Sequence, residues 1–222
     1  MEFNIFLGFI VLLCLFSHIS GEQSSFVPSK VDGFWYGGKR AEEGRVRIEA
    51  FLDPVCPDSR DSWEPLKQAF NNYGSSVVEL VVYLLPLPYH DNAFVASRAL
   101  HIVNELNSSA TYTLLEAFFE NQEQFYGKAT FNMSRANVID KIMTFSAEVL
   151  GSSSLSAIKS GFNDTETDHA TRISFKFGCL RGVYATPFFF VNGFPLAGAG
   201  SALSYDEWRQ VIDPLVVNQG KN

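Results

Sequence analysis

Between Val46 and Leu85 the chain reads as strand, helix and strand with little slack between them, and no other stretch restricts the fold as much. Val46-Arg47-Ile48-Glu49-Ala50-Phe51-Leu52 alternates apolar and polar residues before turning wholly apolar, as a strand does on entering a sheet covered on both faces. It ends at Asp53-Pro54. From Pro57 to Tyr73, Trp63, Leu66, Ala69 and Phe70 recur at spacings of three and four, the signature of a helix with one buried face; Pro65 inside it predicts a bend. Gly74 stops that helix. The β-branched run Val77 to Leu85 then predicts a central strand, closed by Pro86 and Pro88. A β-α-β unit of this kind places the chain in the α/β class.

A helical region follows, predicted over Asn92 to Glu105, Tyr112 to Gln124, Arg135 to Leu150, Leu155 to Phe162 and Asp168 to Gly178, with Ser, Asn and Gly as punctuation. Strand character returns at Pro187 to Val191, and Asn192-Gly193 is a hairpin signal leading into Phe194-Pro195-Leu196-Ala197. Ser204 and Glu207 form a capping box for a last helix from Tyr205. With 222 residues, 46% apolar and 18% charged, the chain can bury one substantial core with a helical subdomain inserted. The 21 phenylalanines, including Phe188-Phe189-Phe190, are read as packing.

The segment Ile5 to Phe16 is almost wholly apolar and is followed by Ser17-His18-Ile19-Ser20-Gly21, so residues 1 to 21 are expected to be a signal peptide; an uncleaved anchor is the alternative. Residues 22–44 are expected to form an irregular arm, in which Phe34-Trp35-Tyr36 can pair as an edge strand. The main domain is expected over 45–216, its helical insertion over about 92–180. Sequons at Asn107, Asn132 and Asn163 agree with passage through the secretory pathway, toward the ER lumen or the cell exterior, with no membrane attachment after cleavage. Loss of the leader removes Cys14 and leaves Cys56 and Cys179 in a compartment where disulfides persist.

Three pieces now stand in order: a buried strand running into Phe51-Leu52-Asp53-Pro54-Val55-Cys56-Pro57-Asp58-Ser59, a Thr186-Pro187 step opening a later strand, and the Asn192-Gly193 hairpin. Over roughly residues 45 to 215 this resembles the thioredoxin superfamily, specifically its DsbA-like branch, a thioredoxin-like fold with an inserted helical subdomain. The resemblance implies a reactive thiol at Cys56 and a cis-proline at Pro187, with the backbone of Thr186 pairing an extended peptide beside the sulfur. Independently of any family, a cysteine at a strand-to-helix turn lies beside unpaired N–H groups and the positive end of the helix dipole, which favours thiolate.

The chain departs from the dithiol members at Ser59, where they carry the resolving cysteine. A hydroxyl forms no S–S bond, so Ser59 is expected instead to donate a hydrogen bond to the Cys56 thiolate. Release from a mixed disulfide would then need an external thiol such as glutathione, a thiol on the substrate, or Cys179. Cys179 lies at the end of the helix before the Pro187 loop; a disulfide to Cys56 is one reading, and a small buried hydrophobe is the other.

The remaining candidates are weaker. His90 and His169 precede or begin helices and read as capping or surface residues, Asp53 as a turn or capping residue, and Asp58 and Arg60 as opposed influences on the thiolate. No metal-ligand spacing and no Gly-rich phosphate loop appears. The net charge of -7 with scattered basic residues argues against nucleic acid. The expected function is monothiol thiol-disulfide exchange on protein or peptide substrates through Cys56. The alternatives are a non-catalytic peptide-binding or chaperone-like module and, more remotely, glutathione conjugation.

Overall fold

The computed structural model describes residues 32–37 and 46–219; the expected signal peptide, Cys14 and most of the expected arm lie outside them. The strands are β1 (Phe34–Tyr36), β2 (Val46–Leu52), β3 (Val78–Leu84), β4 (Phe188–Val191) and β5 (Phe194–Pro195). They form one mixed sheet in the order β1-β3-β2-β4-β5. β2 and β3 are parallel, as a helical crossover requires, whereas β1 runs antiparallel to β3 and β4 antiparallel to β2. At the β4–β5 hairpin Asn192 and Gly193 have φ of 49° and 83°, values that Asn and Gly tolerate and a β-branched residue does not.

The crossover helix α1 (Pro57–Tyr73) buries Trp63, Leu66, Ala69 and Phe70, the predicted stripe, and continues through Pro65. The other helices are α2 (Ala93–Leu106), α3 (Thr111–Glu120), α4 (Gly127–Thr130), α5 (Arg135–Leu150), α6 (Leu155–Asn163), α7 (Thr165–Leu180) and α8 (Tyr205–Gln219). Those from α2 to α7 occupy the sequence between β3 and β4. At α8 the capping box forms: Ser204 N–H donates to Glu207 Oε2 at 2.7 Å and Glu207 N–H to Ser204 Oγ at 3.3 Å.

Strand alternation sends side chains to two separate cores. Ile48, Ala50 and Leu52 of β2 join Leu66 of α1, Leu100 of α2, Phe118 of α3 and Trp208 of α8 on one face. Phe51 joins Val81, Tyr83, Leu85, Phe188 and Phe190 on the other, against Phe177 of α7. The Phe188-Phe189-Phe190 run is thereby divided, with Phe189 edge-on to Trp208 at 4.9 Å on the first face and its neighbours on the second. The second face also holds a fork between Arg181 and Glu49, two bonds of 2.9 Å, with the guanidinium 4.2 Å from the Phe190 ring centre.

Helix α7 approaches the sheet closely because its inward residues are small: Thr167, Thr171, Ser174 and Gly178. A Cβ at Gly178 would stand 2.5 Å from Leu85 Cδ1, so only glycine fits without displacing Leu85. The same stripe brings Ser174 Oγ to 3.1 Å from Nε2 of the buried His101 on α2. Burial pulls the His101 imidazole down to about 4, so it is neutral at physiological pH.

Candidate active site

Asp53, the first residue past β2, is fully buried and organises the turn that follows. Its Oδ1 accepts the Val55 N–H at 2.8 Å; its Oδ2 accepts the Leu87 N–H at 2.9 Å and stands 2.8 Å from His90 Nδ1. Its own N–H donates to Ser59 Oγ at 3.2 Å, and its carbonyl accepts the Cys56 N–H at 3.0 Å. One carboxyl group therefore joins the end of β2, the turn, and the loop after β3, and its hydrogen bonds compensate the desolvation of a buried polar group. The helical insertion adds a second clamp. Gln122, buried in the 3₁₀ turn Gln122–Phe125, donates through Nε2 to the carbonyls of Pro54 at 3.1 Å and Cys56 at 2.8 Å.

Cys56 is the N-cap of α1, with φ -85° and ψ 122°, and Pro57 and Asp58 open the first turn. The sulfur thus lies where the helix presents unpaired N–H groups. The residue is only 2% exposed, and its thiol donates to the Thr186 carbonyl at 3.3 Å. Thr186 is buried, its hydroxyl has no hydrogen-bond partner, and the Thr186–Pro187 peptide is cis. Cys56, Thr186 and Pro187 thus meet in space.

Ser59 is placed differently from expectation. It is buried on the first turn of α1, yet its hydroxyl accepts the Asp53 N–H and has no bond to Cys56. The strand end supplies a backbone donor that ends β2 unpaired, and the serine satisfies it. Cys179 is also corrected: it is a free, exposed thiol near the end of α7, not a buried hydrophobe, because the helix turns its small-residue stripe inward. Cys56 is free as well. The two cysteines belong to helices that pack on opposite faces of the sheet.

The flanking charges also differ from the sequence reading. Arg60 is paired with Asp61 at 2.8 Å, a hydrogen bond that raises its guanidinium, while Asp58 is exposed. His90 faces the Asp53 carboxylate beside the turn, and His169 is half-buried on α7. Tyr89 is 66% exposed next to His90; partial desolvation raises its phenol, helped by the negative potential of Cys56, Asp53 and Asp58. Asp53, His90 and Gln122 were missed as site residues because their partners are remote in sequence; the acid three residues before Cys56 was the one available signal. Asn107, Asn132 and Asn163 are all exposed. Among the described residues, no group of three or more His, Cys, Asp and Glu could hold a metal ion, and no helix is long and apolar enough to cross a membrane.

Solved structures share this architecture. A candidate protein-disulfide isomerase from Pseudomonas syringae superposes with a TM-score of 0.68 at 21% identity, covering 82% of this chain and 98% of that one. The thiol-disulfide exchange protein α-DsbA2 from Wolbachia pipientis gives 0.61 at 17% identity, covering 82% and 87%. MdbA, a thiol-disulfide oxidoreductase from Actinomyces oris, gives 0.61 at 16%, covering 82% and 85%. At these identities the likeness is one of fold. No curated protein matches the chain in sequence. The family model described as thioredoxin matches residues 29–214, and the chain belongs to that family.

Proposed function

We propose that this protein performs thiol-disulfide exchange on protein substrates in the secretory pathway, using Cys56 as its single reacting thiol. The observation that carries this reading is the convergence of the Cys56 sulfur, at the N-terminus of α1, with the carbonyl of Thr186, 130 residues away. The Thr186 backbone serves as the rest for an extended client segment while the sulfur attacks. The Cys56 thiolate forms a new S–S bond with one sulfur of the client disulfide, and the other leaves as a thiolate. Ser59 cannot resolve the product, so an external thiol such as glutathione, or a second client thiol, completes the cycle. Exposed sequons at Asn107, Asn132 and Asn163 support glycan addition during export.

The test uses insulin as a disulfide-bonded client, with acid quenching and mass spectrometry. The protein should accumulate a mixed disulfide at Cys56 that glutathione releases; Cys56→Ser should abolish it. Ser59→Cys should convert accumulation into self-release. If the unaltered protein binds client reversibly and forms no adduct, the chain is instead a peptide-binding module with an inert cysteine.

A further inference from the structure

A cleft of about 240 Å³ opens beside the reactive turn, lined by Val55, Pro57, Tyr89, His90, Asp91 and Tyr126. Val55 and Pro57 are the residues on either side of Cys56. The His90 side chain is about one-fifth exposed at this cleft, whereas Asp53 behind it is fully enclosed. The 2.8 Å contact turns His90 Nδ1 toward the Asp53 carboxyl and Nε2, on the opposite side of the ring, away from it. The Tyr89 ring stands edge-on to the imidazole at 5.0 Å.

We propose that His90, oriented by Asp53, is the positioning and proton-holding partner of Cys56. The inference rests on the reading that Cys56 attacks disulfides. The N-terminus of α1 favours the thiolate, and a cation at His90 would add to that. A thiolate at Cys56 would form within the turn that the buried Asp53 carboxyl organises, and a negative group there opposes it. Arg60 is engaged by Asp61. Tyr89 and Tyr126 acquire only negative charge, so among the residues lining the cleft His90 is the one that can become a cation. A proton passed from the Cys56 thiol to His90 Nε2, directly or across one solvent molecule, produces a thiolate and an imidazolium and leaves Asp53 neutralised. The thiolate then forms the mixed disulfide, the client S–S bond breaks, and the leaving thiolate takes the proton back from Nε2. Protons and electrons balance, with no oxidant consumed.

The experiment follows reaction of Cys56 with 2,2′-dithiodipyridine between pH 4 and 9 in the full chain, with Cys14 and Cys179 replaced by serine. His90→Gln should slow the reaction about tenfold near pH 7 and remove the histidine step from the pH-rate profile; His90→Phe should do the same. A second readout leaves the dyad intact. By reciprocity, the His90 NMR titration should move to lower pH in Cys56→Ser, because the imidazolium loses its thiolate partner. Rates within twofold and superimposable profiles in the His90 variants, or an unmoved His90 titration in Cys56→Ser, would overturn the proposal while leaving exchange through Cys56 standing. Failure of Cys56 itself to form any adduct would remove the underlying reading instead.

Discussion

The turn at Cys56 and the helix end at Cys179 each carry a free thiol, and they are constructed in opposite ways. Around Cys56 the backbone is fixed by buried polar groups drawn from three parts of the chain: Asp53 from β2, His90 from the loop after β3, and Gln122 from the helical insertion. Around Cys179, Phe177 and Arg181 reach the sheet and Gly178 presses on Leu85, while Cys179 itself and Leu180, 87% exposed, face solvent. A thiol presented at a set place relative to a client needs the first kind of surroundings. The second kind fixes where the helix lies and leaves the thiol unconstrained.

The sharpest way to break this contrast is Asp53→Ala. It strands the buried donors of Val55, Leu87 and His90 and should lower stability by about 3–5 kcal/mol, measurable by urea unfolding. Acid attacks the other region, because His101 holds α7 to α2 through Ser174. The unfolded chain protonates this histidine near pH 6.5, while the folded state keeps it neutral down to about 4. The stability it supports is therefore complete above about pH 6.5 and is lost as pH falls toward 4, by about 3 kcal/mol over the interval. Urea midpoints collected against pH should show that loss, and His101→Gln should flatten it. The smallest effect belongs to Cys179→Ser, which should change stability by less than about 0.5 kcal/mol and leave Cys56 adduct formation unaltered.

Strand β2 and helices α1 and α5 could be read in the sequence with their full extents, since apolar periodicity and strong stops coincide there. Helix α7 shows where that reading fails. Its buried face is Thr, Thr, Ser and Gly, which lets two backbones approach, so hydrophobicity pointed to the wrong side, and neither the buried nor the disulfide-bonded reading of Cys179 held. At the site, Cys56 precedes α1 and Thr186-Pro187 precede β4, and the resemblance to the thioredoxin superfamily is what marked them. Asp53, His90 and Gln122 were not marked, because a polar residue acquires its partner only when the insertion folds back over the turn. The short helix α4 had no periodic signal at four residues.

The contact between Cys56 and Thr186 also sets an order of events during synthesis. The sulfur's carbonyl neighbour lies 130 residues downstream, and β4 must pair with β2 before the two can meet. A growing chain that has completed β2, α1 and β3 still lacks the Thr186 carbonyl that meets the Cys56 thiol in the finished fold. Closing so long a loop is entropically costly and late. On the proposed function, the peptide rest beside Cys56 is therefore completed only when nearly the whole domain has left the ribosome.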